Sequence, residues 1–311
     1  MISDMRMITH VLGHLTALLV GIGAAIAACQ PGDIGTIGFA GTTLPPYNPF
    51  TAYPPRTMTV TISSSVACSV ELAFQTTGFP PRLTGPGSLN YDILASAGGS
   101  SLVYQAGQPS ATALIDVGSG NPGSSSFQVT VPQGQIAADG NYADPTLVAN
   151  VFDRSGSNLS LLKSVPVPLT ASVVRACQFA ASTPTTMNFT PAIHNGLPNP
   201  GYMQSVVFAD LSCTAPATVR LSANPMQLTS APAPSPSFDS EIHVRASATL
   251  MGATAVLDTS AGTSATSAAR HVVSGATTNG SVRLDVNLLR NRPLLPGTYS
   301  STLTLSIDPN P

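Results

Sequence analysis

The sequence predicts an all-β chain: two tandem immunoglobulin-like β-sandwiches, the C-terminal one lacking its last strand. Three observations predict it. Apolar residues alternate with polar ones in many short runs, cysteines recur at similar spacing in two places, and a gapless match links the ends of the two halves. The 311 residues suffice for two domains of roughly 140 residues, each able to bury its own core. Ser, Thr, Gly, Ala and Pro are abundant, a mixture that can signal disorder. The 43% hydrophobic content and mean hydropathy of +0.23 argue for packed strands instead.

The alternation comes first. Met58, Val60 and Ile62 alternate with threonines; Val70, Leu72 and Phe74 follow, then Phe127, Val129 and Val131, and Leu147, Ala149 and Val151. In the second half stand Ile242, Val244, Ala246 and Ala248, then Val282, Leu284, Val286 and Leu288, and last Leu303, Leu305 and Ile307. A period of two turns one side of a strand to a core and the other to water. Gly, Pro and Asn clusters punctuate these runs, and no convincing helical period appears beyond the first segment.

The cysteines and the internal match follow. Cys29 and Cys68 lie 39 positions apart, Cys177 and Cys213 lie 36 apart, and each first cysteine opens a half. An even count in an oxidising compartment predicts the pairs Cys29–Cys68 and Cys177–Cys213. The alternative, a zinc site, lacks the close Cys-x-x-Cys or His spacing that tetrahedral ligation uses. Val131 through Tyr142 aligns on Leu288 through Tyr299 at an offset of 157 positions, each copy reaching Gly-x-Tyr (Gly140-Asn141-Tyr142 and Gly297-Thr298-Tyr299). The glycine permits a tight turn, and the tyrosine can cap a core while its hydroxyl finds a partner. At that offset Pro311 falls on Arg154, so Ser155 to Val174 has no counterpart. That segment reads as a turn, Ser155 to Asn158, and a strand, Leu159 to Val173. A sandwich without its last strand exposes backbone donors and acceptors beside an apolar groove: a hazard if bare, an assembly joint if another chain fills it.

The division expected is 1–28 signal peptide, 29–174 first domain and 175–311 second domain. Arg6 precedes a mostly apolar run, Val11 to Ala27, and Ala25-Ile26-Ala27-Ala28 supplies small residues for a peptidase. The run is too short and too interrupted, by His14 and Thr16, to span a bilayer comfortably. A second reading of Ile26-Ala27-Ala28-Cys29 is a lipobox with a lipidated Cys29, which would leave Cys68 without a partner. Net charge is −2, charged residues are 8%, and Lys163 is the lone lysine. A nucleic-acid partner is not expected, because that needs clustered Lys and Arg on one face.

On these residues the chain resembles the spore coat protein U domain family. The second half matches through Cys177, Leu211-Ser212-Cys213-Thr214 and Pro296-Gly297-Thr298-Tyr299 to Leu305. The first matches more loosely, through Cys29, Cys68, Leu89-Asn90-Tyr91, Pro132-Gln133-Gly134-Gln135 and Gly140 to Asp144. Together they cover most of the mature chain. The resemblance implies a subunit of Csu-type, archaic chaperone–usher pili. Such subunits meet a periplasmic chaperone, cross an outer-membrane usher and join when an adjacent pilin donates a strand. A mature chain starting beside Cys29 has no extension of its own to donate. With two domains it resembles the tip adhesin, whose N-terminal domain meets an apolar abiotic or host surface, mediating attachment and biofilm formation. Export through the periplasm to the cell surface, as part of a fimbrium, is the localisation implied. Alternatives are a secreted coat or matrix protein of the same family, a carbohydrate-binding module, or a hydrolase of unrecognised type.

Candidate residues follow. Leu44 to Pro55 carries prolines that remove ladder donors, so a loop with exposed aromatics is expected. Gly78-Phe79-Pro80-Pro81 and Ala97-Gly98-Gly99-Ser100 read as further loops. Tyr47, Phe50, Tyr53 and Phe79 are the expected surface-binding residues; the competing reading folds them back over the core. The strand-acceptor groove is expected along Val286, Leu288, Leu303, Leu305 and Ile307. Catalysis finds little support, and no catalytic residue, cofactor or metal is expected. His194, His243 and His271 are scattered without metal spacing, and no Gly-x-Ser-x-Gly elbow occurs. Asp139, Asp144 and Asp153 sit near turns, where Asp commonly caps its own backbone; a dense calcium loop is lacking.

Overall fold

The computed structural model describes residues 28–153, 159–181, 186, 188–190, 193–199, 201–229, 236–266, 276–289 and 292–310. Residues 1–27 of the expected signal segment 1–28, the turn 155–158 and His271 lie outside the described residues. Within them the chain is all-β, apart from one 3-10 turn at Pro31–Asp33.

The first half runs β1 (Ile34–Ala40), β2 (Arg56–Ser64), β3 (Cys68–Gln75), β4 (Arg82–Thr84), β5 (Ser88–Asn90), β6 (Asp92–Leu94), β7 (Val103–Tyr104), β8 (Ala113–Val117), β9 (Gly123–Thr130), β10 (Gly140–Ala143), β11 (Val148–Asp153), β12 (Ser160–Pro166) and β13 (Thr170–Val173). One sheet has the order β1-β2-β9-β6, a second β12-β11-β3 with β7 and β8 sharing the far edge of β3, and a third β13-β10-β4-β5. The alternating residues Met58, Val60, Ile62, Val70, Leu72 and Phe74 are all fully buried, facing one another across a shared core. Tyr142 and Tyr47 cap that core, both within 2% exposure.

The second half runs β14 (Cys177–Phe179), β15 (Ile193–His194), β16 (Leu197–Pro198), β17 (Met203–Cys213), β18 (Ala217–Ala223), β19 (Met226–Leu228), β20 (Glu241–Ile242), β21 (Val244–Leu250), β22 (Ala253–Asp258), β23 (Ser264–Thr266), β24 (Thr277–Leu288), β25 (Tyr299–Ser300) and β26 (Leu303–Pro309). Its sheets are β14-β17-β24-β21-β22, β23-β18-β26 and β20-β19-β25, with a hairpin β15-β16. Its core is a separate cluster drawn from Leu211 to Leu294. No strand of one half pairs with a strand of the other among the described residues.

The two halves share a strand order. Shifted by 157 positions, β9 lands within β24 and β11 lands on β26. In the first half β11 lies between β3 and β12; in the second, β26 pairs with β18 alone among the described residues. The repeat reaches single atoms. The Tyr142 hydroxyl donates to the Ala138 carbonyl at 2.5 Å, and the Tyr299 hydroxyl to the Leu295 carbonyl at 2.9 Å, the same four-residue reach. Such a corner ties a strand start to its preceding loop. Gly140 and Gly297 both hold positive φ, 133° and 151°, where a side chain would be strained.

One expected strand is two. Leu159 to Val173 divides into β12, beside β11, and β13, beside β10 in another sheet. Pro166 and Pro168 flank the break and cannot donate to a ladder. Between them the Val167 N–H still bonds the Leu147 carbonyl, which guides the chain from one sheet to the next.

Candidate functional site

Both cysteine pairs are disulfides. Cys29 joins Cys68 with Cα atoms 5.6 Å apart, so its sulfur is not free for a lipid. Cys177 joins Cys213, a directly opposed pair of β14 and β17 with Cα atoms 4.1 Å apart.

The open flank of the second half is the first candidate site. Opposed residues of an antiparallel pair share a face, so Gln204, Val206 and Phe208 point the same way as Val286, Leu284 and Val282. Val282, Leu284, Val286 and Leu288 are buried, and so are Val244, Ala246 and Ala248 on β21. Val206 and Phe208 are only half-buried. In the facing sheet, Val219 and Leu221 of β18 are fully buried, whereas Leu303, Leu305 and Ile307 of β26 are half-buried. Cover is therefore complete over β24, β21 and β18 and incomplete along β17, β14 and β26. Phe179 and Phe208 meet on that flank with ring centroids 6.1 Å apart. The outer edge of β26 has no strand partner among the described residues. Of the groove residues expected from sequence, Leu303, Leu305 and Ile307 lie on this flank. Val286 and Leu288 lie deeper, on a strand paired along both edges.

Sequence reasoning missed Val206, Phe208 and Phe179. On β17 the alternation breaks at a bulge: Phe208 opposes Val282 while Leu211 opposes Gly280. Asp210, at φ 58°, takes up the extra residue. Three positions apart, Phe208 and Leu211 face one core only because of it.

The loops of the first half are the second candidate site. Gly140 opposes Val173 and Ala143 opposes Thr170. The Val173 end leads to the junction of the halves, where the Arg175 Nε lies 2.7 Å from Asp139 Oδ2. Thr214, fully buried, locks that junction. Its hydroxyl donates to the Val174 carbonyl at 2.6 Å and accepts the Ala176 N–H at 2.8 Å, and its own carbonyl accepts the Asp139 N–H at 2.7 Å. The Ala143 end of the same strand pair leads away from the junction, to Asp144 and the loop Thr76 to Pro81.

The expected aromatic loop divides. Tyr47 is fully buried, so it belongs to the core and not to a binding surface. Leu44 and Tyr47 donate their N–H groups to Thr170 and Ser172 of β13. Pro45 and Pro46, which have no N–H, occupy the positions between. The Tyr47 hydroxyl donates to the Pro132 carbonyl and accepts the Gln135 N–H, both at 2.9 Å. Tyr53 packs edge-on against it, half-buried, donating to the Pro45 carbonyl at 2.8 Å. Phe50 is half-buried as well. Phe79 alone of the four is strongly exposed, at 67%.

Beside Phe79 opens a cleft of about 270 Å³. Its floor is a closed network: Asp144 Oδ2 accepts from Tyr91 and Thr76, and Asp144 Oδ1 from the Thr146 N–H and hydroxyl. Burial, and then the Asp144 carboxylate, push the Tyr91 hydroxyl well above its ordinary range. Asp144 thus caps its own turn at Thr146. Of the other polar candidates, Asp139 pairs with Arg175, Asp153 ends β11, His194 is exposed and His243 lies 3.2 Å from Glu241.

Compared with known proteins, the chain matches no family model and no curated protein sequence. Among solved structures it is similar to the chaperone–tip adhesion subunit pre-assembly complex of the archaic chaperone–usher Csu pili of Acinetobacter baumannii. That likeness has 13% identity and a TM-score of 0.41, over 87% of this chain and all of that one. It is also similar to the CupB6 tip adhesin from Pseudomonas aeruginosa, at 11% identity and TM-score 0.36 over 88% of this chain and 95% of that one. A third is the CFA/I adhesin CfaE of enterotoxigenic E. coli, at 10% identity and TM-score 0.33 over 86% and 91%. Likenesses this distant carry no functional weight.

Proposed function

We propose that this chain is the two-domain tip adhesin of a chaperone–usher pilus. Residues 29–174 form a closed immunoglobulin-like sandwich that meets a surface, and residues 175–311 form an open one that joins the fibre. The observation that carries this reading is the uncovered flank of β26. Among the described residues it bonds along one edge, and Leu303, Leu305, Ile307, Val206 and Phe208 stay half-buried beside it. One inserted strand would satisfy the backbone of that edge and cover all five side chains. A bare edge of this kind templates aggregation. The reading therefore includes a periplasmic chaperone that covers it, and an outer-membrane usher where an adjacent pilin replaces the chaperone. The distal loops of the first half then supply attachment to an apolar abiotic or host surface, and so biofilm formation.

The test supplies a strand. A copy of residues 155–173, which hold β12, is fused after Pro311 so that it can fold back along β26. The fused chain should melt about 3–4 °C higher, as expected for roughly 1 kcal/mol in a domain of this size, and remain monomeric. Amide exchange along β26 should slow. An unfused chain that is monomeric, with β26 already protected and no gain on fusion, overturns the reading.

A further inference from the structure

We propose that Lys163 guards the seam of the first half against edge pairing with a strand of another chain, so that a strand from outside enters the second half alone. The inference rests on the strand-accepting reading of the second half and adds the residue that makes acceptance selective. Three observations carry it.

The first is where the lysine reaches. β1 and β12 are the outer strands of their two sheets, and the far edge of neither has a strand partner among the described residues. Lys163 opposes Val151, which is fully buried, so its stem leaves β12 on the core side. Half-buried, it crosses the seam, and its Nζ donates to the Ile34 carbonyl at 3.2 Å and to the Gly35 carbonyl. The register of β1 against β2 shifts between Ile34 and Ile37, and the Thr36 N–H goes to the Ser63 hydroxyl at 2.7 Å. An irregularity of this kind opens the ladder locally, and the ammonium takes up the carbonyls beside it. A strand arriving at this seam must displace the ammonium or bury it without those partners, and either is costly.

The second is how little else protects the two edges. Between them β1 and β12 carry one charged residue, and it is Lys163, the lone lysine of the chain. On the same strand Leu161 is 52% exposed. Uncharged, partly apolar edges template pairing with other strands. The third is contrast. The strands that bound the open flank of the second half, β14, β17 and β26, carry no Lys or Arg. Lys163 also falls within Ser155 to Val174, the stretch with no counterpart in the second half. The copy without the last strand is thus the copy without the guard.

The test uses the full chain with the strand fused after Pro311, so that the edge of β26 is already supplied. Lys163→Met, Lys163→Gln and Lys163→Arg are made at the original position only. Sedimentation up to about 100 µM reports micromolar association. Lys163→Met, which keeps the length and loses the charge, should self-associate at least about tenfold more tightly than its parent. Amide exchange along β1 and β12 should slow as it does so. Lys163→Gln should fall between, and Lys163→Arg should stay monomeric. If Lys163→Met melts lower than its parent, the comparison of Lys163→Gln with Lys163→Arg decides. Met and Gln variants as monomeric as the parent overturn the inference. So does association that leaves exchange on β1 and β12 unchanged, or an Arg variant that associates as tightly as the Met variant. Strand acceptance is read on β26 with Lys163 in place, and the guard on β1 and β12, so the two can fail separately.

Discussion

Tyr91 and Asp144 meet at 2.7 Å beneath the Phe79 cleft, a buried hydroxyl donating to a buried carboxylate. The pair is favourable only while the hydroxyl keeps its proton. Its pKa is raised, so its contribution to stability is whole below the ordinary tyrosine value of about 10. That contribution is lost as pH climbs from there toward the raised value. Tyr91→Phe should cost about 1–3 kcal/mol at neutral pH, because Asp144 loses a donor. The fall in stability above about pH 10 should also become shallower in that variant. Urea unfolding at both pH values checks both statements. Neither the buried pair nor the burial of Tyr47 follows from residue type. An aromatic beside prolines reads as loop, and only the hydrogen bonds of its neighbours to β13 show where its ring goes.

At the scale of elements, legibility followed parity. Where strands keep one register, as in β2, β3 and β21, alternation alone identifies the buried residues. Where a bulge intervenes, parity switches and the pattern is lost, as in β17. Asp210 sustains that switch with a positive φ that Asp tolerates and β-branched residues resist. Asp210→Val should therefore cost about 1–3 kcal/mol, and Asp210→Gly much less, measured by thermal unfolding of the fused-strand chain. Depth within a core is a different matter, because alternation does not carry it. Val286 and Leu288 alternate just as Leu303 and Leu305 do, yet only the latter pair lies on the flank.

At the scale of the whole molecule, each half has its own core and its own disulfide, and the second core is the less covered. Cys177–Cys213 closes a loop for which the chain-entropy model gives about 3–4 kcal/mol. Replacing both cysteines with serine should unfold the second half and spare the first. Limited proteolysis should then leave a resistant fragment ending near Arg175. Simultaneous loss of both halves would show that they stand or fall together.

The Thr214 junction has a mechanical consequence. The Arg175–Asp139 pair is half in solvent and adds little on its own, but Thr214 is buried and adjoins Cys213. A pull applied at the distal loops thus enters the second half at a covalent crosslink instead of peeling β14 from its end. If the chain hangs at the end of a fibre, the weakest link in the line of tension lies elsewhere. It is the strand laid along β26, held by backbone hydrogen bonds and side-chain contact alone. Such a tip would detach whole, still gripping its surface, before either of its halves came apart.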